Sequence, residues 1–183
     1  MKNAKKISRF LAVFVLIITL LVFSFSGCIG KSVTLSFARN MQKNTNFEFC
    51  ILTEITADIS FEDYFIVPGF GVTGYVNKKY GEDYSSKEDL NYVQYSVSSW
   101  PDVLSKKQYI TGIHCYDENY NIYGLKIGDS AQKWEQTLTQ KGFKLKDERY
   151  YYRHIRINVN QREGVVFSFS IYADSTNISC VVF

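Results

Sequence analysis

The pattern of apolar and polar residues predicts a chain built mostly of β-strands. Alternation of apolar and polar positions places every second side chain on one face of a strand. It recurs in five segments, residues 31–38, 92–98, 108–116, 149–160 and 165–173, and residues 178–183 are predicted to form a strand that closes the sheet. Residues 47–52 and 54–61 are also β-prone and predict one or two further strands. For residues 33–41 a helix is the alternative, because their apolar side chains are also spaced four apart.

One helix is well marked, at residues 129–141. Asp129 with Gln132 three positions later fits a capping box at its N-terminus. Gly142 fits a left-handed stop, and Phe143 can fold back on the last turn as in a Schellman motif. The predicted buried stripe consists of Ala131, Trp134 and Leu138.

The strands after this helix have one apolar face and one polar, aromatic face. On residues 149–160, treated as one strand, we predict the inward side chains to be Tyr151, Ile155, Ile157 and Val159. The predicted outward side chains are Tyr150, Tyr152, His154, Arg156 and Asn158. Such alternation is typical of an antiparallel sheet covered on one side only. The predicted fold class is therefore α+β, a strand-rich antiparallel sheet packed on one face against one or two helices.

The N-terminus has the three parts of an export signal. A head with four basic residues precedes an apolar run at residues 10–25, which ends on Ser26, Gly27 and Cys28. This ending resembles the lipobox of bacterial lipoproteins, although Phe25 stands where that family usually has an aliphatic residue. The resemblance implies that Cys28 carries a lipid, that residues 1–27 are removed, and that the protein is anchored to the extracytoplasmic face of a bacterial cell membrane. An uncleaved membrane-spanning helix and a plain secretory signal are the alternatives.

The charge balance changes once the signal is set aside. The chain has 21 Lys and Arg against 18 Asp and Glu, but residues 1–27 contain four of the basic residues and none of the acidic ones. The remaining 17 and 18 give residues 28–183 a formal net charge of −1. This balance does not indicate a nucleic-acid partner, since such a protein needs a basic patch on the folded domain. Residues 28–183 are predicted to form a single domain, with a subdivision into 28–121 and 122–183 as the alternative.

Three cysteines follow Cys28, namely Cys50, Cys115 and Cys180. An odd number cannot all pair, and each lies in an apolar segment, so buried thiols are as consistent with the pattern as a disulfide. If one pair forms, Cys115 with Cys180 is the preferred one, because both lie in candidate sheet strands. None of them is spaced as a Cys-x-x-Cys metal or redox site.

Motifs that would indicate a cofactor or an enzyme occur without their required context. Gly69, Gly71 and Gly74 fit the G-x-G-x-x-G spacing, but no helix of useful length can follow before Gly81, so nucleotide binding is not expected. Residues 117–128 open like a calcium loop but have Ile at its sixth position and Gly at its twelfth. Ser130 and Lys133 fit S-x-x-K without the partner motifs of penicillin-recognising enzymes. We therefore expect no cofactor, no metal and no catalytic site.

The C-terminal third resembles a known family. The sequence Gly124-Leu125-Lys126-Ile127-Gly128-Asp129-Ser130 leading into a helix, followed by three predicted strands, is similar to small outer-membrane assembly lipoproteins of the SmpA/OmlA (BamE) type, whose architecture the β-lactamase inhibitory proteins share. Residues 65–71 also resemble an exported lipoprotein type of low-GC Gram-positive bacteria. The resemblance implies a scaffold that presents a sheet face to another protein, and it transfers no functional residue.

A binding patch is predicted on the outward face of the last hairpin. Tyrosine and arginine are enriched at interaction hot spots, and here Tyr150, Tyr152 and Tyr172 are predicted beside His154 and Arg156. The alternative is plain cross-strand pairing, or a face covered by the rest of the fold. The resulting expectation is a membrane-anchored module that binds a protein or envelope component. A cell-wall hydrolase and a small-ligand-binding lipoprotein are the rival functions.

Overall fold

The computed structural model describes residues 36–69, 71–84, 90–98 and 107–173. Residues 36–43 are helical (α1), and a second helix, α2, spans Ala131–Gln140. A short 3-10 helix spans Lys78–Tyr80. The ten strands are β1 Tyr64–Pro68, β2 Val72–Asn77, β3 Val93–Ser98, β4 Ile110–Cys115, β5 Asn121–Ile122, β6 Leu125–Lys126, β7 Lys144–Lys146, β8 Arg149–Tyr152, β9 Ile155–Arg162 and β10 Val165–Ala173.

Eight of these strands form one antiparallel sheet in the order β1-β2-β3-β4-β10-β9-β8-β7, and β5 and β6 form a separate hairpin. The large sheet consists of two meanders of four strands, β1–β4 and β7–β10, which meet through their last strands. In that central pair Phe169 lies opposite Cys115 and Tyr172 lies opposite Gly112. The predicted α+β class, with a strand-rich antiparallel sheet and helices, is confirmed.

The helices and the segment 45–61 pack on one face of the sheet. Trp134 of α2 is fully buried, with its ring 4.9 Å from that of Phe169 in β10. Phe47 also packs on Phe169, at 6.0 Å, and Phe61 stacks on Tyr75 of β2 at 4.0 Å. Burial of these rings and of the aliphatic side chains beneath them is the main stabilising contribution in the fold. We call this side of the sheet the covered face.

Helix α2 confirms most of the predicted end signals and corrects one. Ser130 is the N-cap, and its Oγ accepts a hydrogen bond from the Lys133 amide at 3.2 Å, so Asp129 is not the cap that was predicted. At the other end Gly142 has a φ of 90°, and the Phe143 amide donates to the Leu138 carbonyl at 3.0 Å. The bond from Phe143 to Leu138 closes the Schellman motif that the sequence predicts.

Several predicted strands differ in the structure. Residues 36–41 are helical, so the helix alternative holds for that part of 33–41. Residues 47–61 contain turns and a single isolated bridge at Glu54 in place of the predicted strands. In β4 an extra residue at Thr111 interrupts the alternation and shifts the register against β3, so Ile110 lies on the covered face with Ile113 and Cys115. The predicted strand at 178–183 lies outside the described residues.

The largest difference is at residues 149–160, which form two strands instead of one. The chain turns back at Arg153, with a φ of 52°, and His154. Tyr152 then lies opposite Ile155 and Tyr150 opposite Ile157. Residues paired across a hairpin share a face of the sheet. In each of these pairs one residue number is even and the other is odd. The even-numbered residues of β8 therefore lie on the same side as the odd-numbered residues of β9. The prediction for Tyr150, Tyr151 and Tyr152 is therefore wrong by one position.

Among the described residues, no helix is long and apolar enough to cross a membrane. The predicted signal at 1–27 and the lipid-bearing Cys28 belong to the part of the chain that the structure leaves undescribed.

Candidate functional site

The face opposite the helices, which we call the open face, presents two rows of side chains that run across all eight strands. The register places each residue of a row beside its partner on the next strand, and partners share a face. The first row consists of Val67, Gly74, Ser96, Gly112, Tyr172, Arg156, Tyr151 and Lys144. The second row consists of Phe65, Val76, Gln94, His114, Ser170, Asn158, Arg149 and Lys146.

Tyr172 lies at the centre of this face and is held from three directions. The ring packs beside Gly112 on the neighbouring strand, where a Cβ would lie 3.5 Å from it, an ordinary van der Waals distance. The ring also meets His114 edge to face at 5.3 Å. On its other side the guanidinium of Arg156 lies 4.5 Å from the ring centre, a cation–π contact. Arg156 and Tyr172 therefore form an ordered pair in which both side chains restrict each other.

His114 is partly enclosed beside this pair. Its Nδ1 lies 3.2 Å from the Ser170 Oγ, and burial lowers the pKa of the imidazole. A lowered pKa keeps the ring uncharged at neutral pH. His114 is therefore a neutral polar group on a face whose other titratable side chains are cationic or phenolic.

The opposite end of the open face has a chain of aromatic contacts. Phe65 stacks on Tyr84 at 6.1 Å, Tyr84 meets Tyr92 edge to face at 5.0 Å, and Tyr92 stacks on Tyr116 at 4.8 Å. Burial, followed by the neighbouring Tyr116 and Tyr84, raises the pKa of Tyr92. These contacts join β1, the 81–84 turn and the strands β3 and β4 on one surface.

A depression of about 410 Å³ lies where the open face meets the β8–β9 turn. Its walls come from both meanders, with Gly71 and Val72 on one side and Arg153, His154 and Arg156 on the other. The residues that line it include no Asp or Glu within the described part of the chain. The depression therefore favours an anionic or polar occupant and lacks the carboxylates of an acid–base catalyst.

Three of the predicted site residues come together on this surface and two do not. His154, Arg156 and Tyr172 all line the depression. Tyr150 is 7% exposed and belongs to the covered-face core. Tyr152 stacks on Phe37 of α1, with the ring centres 3.8 Å apart, and so also lies on the covered face. The predicted patch therefore loses its two β8 tyrosines.

The patch gains other residues that sequence reasoning missed. They are Tyr151 from β8, the open-face cations of β7 and β8, and the neutral partners of Tyr172 on β4 and β10. The two-residue turn at 153–154 was the signal that would have placed Tyr151 correctly. The pairing of β4 with β10, which places Gly112 and His114 beside Tyr172, joins residues 54 or more positions apart and has no local signal.

The cysteines and the candidate calcium loop have structural roles. Cys50 and Cys115 are buried free thiols, so the preferred pairing of Cys115 with Cys180, itself not among the described residues, is not what the structure shows. Asp117 is 4% exposed, and its carboxylate accepts hydrogen bonds from the Asn119 amide at 2.9 Å and from the Tyr80 hydroxyl at 2.8 Å. These bonds fix the turn after β4 and pair the buried carboxylate. No metal-binding group of His, Cys, Asp or Glu side chains occurs among the residues described.

Comparison with known protein families, with curated proteins and with solved structures found no match. The function has to be inferred from the chemistry of the open face.

Proposed function

We propose that the protein is a lipid-anchored module on the extracytoplasmic face of a bacterial membrane, and that it binds an envelope protein or another envelope component through the open face. The anchor rests on the basic head, the apolar run and the Ser26-Gly27-Cys28 ending of residues 1–28. Two acyl chains would hold the module firmly at the membrane, as a single chain does not. In this proposal the protein is not an enzyme.

The observation that carries the binding role is the composition of a sheet face on which neither helix packs. In the described residues α1, α2 and the segment 45–61 all pack on the covered face. The open face instead presents Tyr151, Tyr172 and Arg156, residue types that dominate binding hot spots. Tyr172 and Arg156 are also fixed by their mutual contact, which lowers the entropy cost of ordering them in a complex.

A small-ligand-binding lipoprotein is the second candidate, and one observation favours it. The glycine turn after β1 contributes Gly71 and Val72 to the depression beside Arg156. A volume of about 410 Å³ is within the range of small-molecule sites. A cell-wall hydrolase has less support, since it would need two facing carboxylates and the described lining contains none.

Photocrosslinking in intact cells tests the binding role. A crosslinking aromatic amino acid is placed at Tyr151 on the open face and, in a matched control, at Gln136, an exposed residue of α2. We expect one discrete crosslinked protein from position 151 and none from position 136. The same product at both positions, or none at position 151 with the bait recovered, would contradict binding through this face. A small ligand recovered with the bait in place of a protein would support the second candidate.

The anchor has a separate test. Metabolic labelling with a fatty acid should mark the wild-type chain and leave Cys28→Ala unlabelled, with the variant retaining its signal segment. A labelled Cys28→Ala chain, or an unlabelled wild-type chain that is nevertheless cleaved, would show that this cysteine is not lipidated.

A further inference from the structure

We propose that the open face recognises an acidic polypeptide segment, bound along the cations of strands β7, β8 and β9. This inference rests on the proposed function and specifies the partner's chemistry. The cations concerned are Lys144, Lys146, Arg149 and Arg156, which we call the cationic strip. Arg153, in the turn between β8 and β9, lies at one end of it.

The first support is the segregation of charge by secondary structure. None of the ten strands contains Asp or Glu, so the acidic residues of the described chain all lie in turns, loops and helices. Six Lys and Arg do lie in strands, and the four of the cationic strip share the open face of three adjacent strands. A domain with a formal net charge near zero thus presents one face of a single sign. Such a face attracts an oppositely charged partner and speeds its encounter.

The second support is that the strip is not neutralised within the described residues. The two ion pairs found there, Lys107 with Glu54 and Lys133 with Asp129, both lie elsewhere. Lys146 lies directly opposite Arg149 across the β7–β8 ladder. Like charges directly opposed on a sheet destabilise it, so a pair of cations at this position opposes folding and favours binding of an anion.

The third support decides what kind of anion fits. Two polar atoms of β9 on this face are buried without a hydrogen-bond partner in the structure, the Nε of Arg156 and the Oδ1 of Asn158. The first is a donor, which a carboxylate satisfies, and the second is an acceptor, which needs an N–H or O–H group. Both atoms are enclosed in this conformation, so a ligand reaches them only when the two side chains turn outward; a polypeptide then supplies a carboxylate from a side chain and an N–H from its backbone. A phosphate chain satisfies Arg156 and leaves the Asn158 acceptor unpaired, at a cost of about 1–3 kcal/mol for such a group.

The spacing of the cations also suits an extended chain that crosses the strands. Lys144 and Arg156 lie in the same row two strands apart, with Tyr151 between them. Two strand spacings amount to roughly 10 Å. A polypeptide in the polyproline II conformation advances about 3.1 Å per residue with three residues per turn, so acidic side chains three positions apart share a side and would meet these two cations.

The test measures binding of three probes to the full-length protein in detergent: poly-L-glutamate, inorganic polyphosphate and vesicles containing anionic lipid. We expect poly-L-glutamate to bind with a salt-dependent Kd, and Lys146→Gln and Arg156→Gln each to weaken it at least five-fold. Lys43→Gln, at an exposed position of α1, is the matched control and should leave the Kd unchanged. Asn158→Leu should weaken poly-L-glutamate and leave polyphosphate unaffected. Lys146 is exposed, so its variant tests the strip even if Arg156→Gln perturbs the Tyr172 contact.

Two results would overturn the inference. Equal loss of affinity for Lys43→Gln and the strip variants would show that the attraction is not located on this face. Polyphosphate or vesicles binding as tightly as poly-L-glutamate, through the same residues, would identify a phosphate polymer or the membrane as the ligand. The crosslink at position 151 separates this failure from failure of the proposed function. A crosslinked protein that survives in Lys146→Gln with Arg156→Gln leaves the binding module intact and rejects only the acidic partner.

Discussion

Tyr151 and Tyr152 are adjacent and chemically identical, yet the structure predicts opposite consequences for their removal. Tyr152 lies on the covered face, where its ring stacks on Phe37 at 3.8 Å and tilts against Phe143 at 5.8 Å. Tyr151 lies on the open face, between Lys144 and Arg156 in the first row. We therefore expect Tyr152→Ala to reduce stability and Tyr151→Ala to reduce binding.

The magnitude for Tyr152 follows from its burial and its ring contacts. An aromatic side chain buries about 150–250 Å² when enclosed, and Tyr152 is half buried, so roughly 100 Å² is at stake. At about 25 cal/mol per Å² this corresponds to about 2.5 kcal/mol. The stack on Phe37 adds about 1 kcal/mol, within the usual range for aromatic pairs. The free energy of unfolding should therefore fall by about 3.5 kcal/mol, which lowers Tm by about 7–14 °C in a domain of this size. Tyr151 is also half buried but makes none of the ring stacks found in the described residues, so Tyr151→Ala should cost about 1 kcal/mol less than Tyr152→Ala.

Urea denaturation followed by circular dichroism measures the free energy of unfolding of both alanine variants. Binding is measured with the photocrosslinked partner or with labelled poly-L-glutamate. Tyr→Phe at each position is the control, because it removes the hydroxyl and keeps the ring. If Tyr151→Ala destabilised the fold as much as Tyr152→Ala, residues 149–160 would form a continuous strand with the opposite phase. The assignment of the open face would then be wrong for β8.

Two further predictions concern buried groups. Burial raises the pKa of the Cys115 thiol to about 12, so this thiol should react slowly with alkylating reagents in the native protein. Peptide mapping after alkylation at pH 8 should find Cys115 labelled only after denaturant is added. Rapid labelling of the native protein would contradict its burial. Burial lowers the pKa of His114, so the unfolded chain takes up this proton first as the pH falls. The stability that neutral His114 contributes is present above about pH 6.5 and is lost as the pH falls through the lower folded-state pKa. His114→Gln should therefore flatten the dependence of the unfolding free energy on pH between about 7 and about 5. An unchanged slope in that variant would show that another group is responsible.

The parts of the fold that the sequence predicts well are those with local signals. Helix α2 is bounded by a polar cap at Ser130 and by Gly142 with Phe143, and these interactions join residues at most five positions apart. Strand β3 has its alternation intact, with Val93, Tyr95 and Val97 buried. In both elements the residues that determine the structure lie within the element or next to it.

The parts that the sequence predicts poorly depend on a turn or on a distant partner. Alternation alone does not distinguish one strand of twelve residues from a hairpin, and the local mark of the turn is only the charged Arg153 at a position that a single strand would turn inward. A reversal there exchanges the faces of one strand relative to the other, as a one-residue slip does. The segment 47–61 has the composition of strands but uses its apolar side chains, such as Phe47 and Phe61, as a layer over the sheet. A pattern of apolar residues therefore indicates which side chains are buried more directly than it indicates the backbone conformation.

The difference between local signals and distant pairing also explains the outcome for the candidate site. Its residues changed in part, while its location in the chain did not. The predicted patch and the open face share His154, Arg156 and Tyr172; His154 lies in the β8–β9 turn, and Arg156 and Tyr172 lie beyond it, where their predicted phase is correct. What the sequence does not show is the second meander's place beside the first, through the pairing of β4 with β10. That pairing places Gly112 beside the ring of Tyr172, and the Arg156 guanidinium lies over the ring. The contact between Arg156 and Tyr172 therefore depends on the assembled sheet, and an alanine at position 112 would meet the Tyr172 ring at an ordinary 3.5 Å while crowding Ser96 at 3.2 Å.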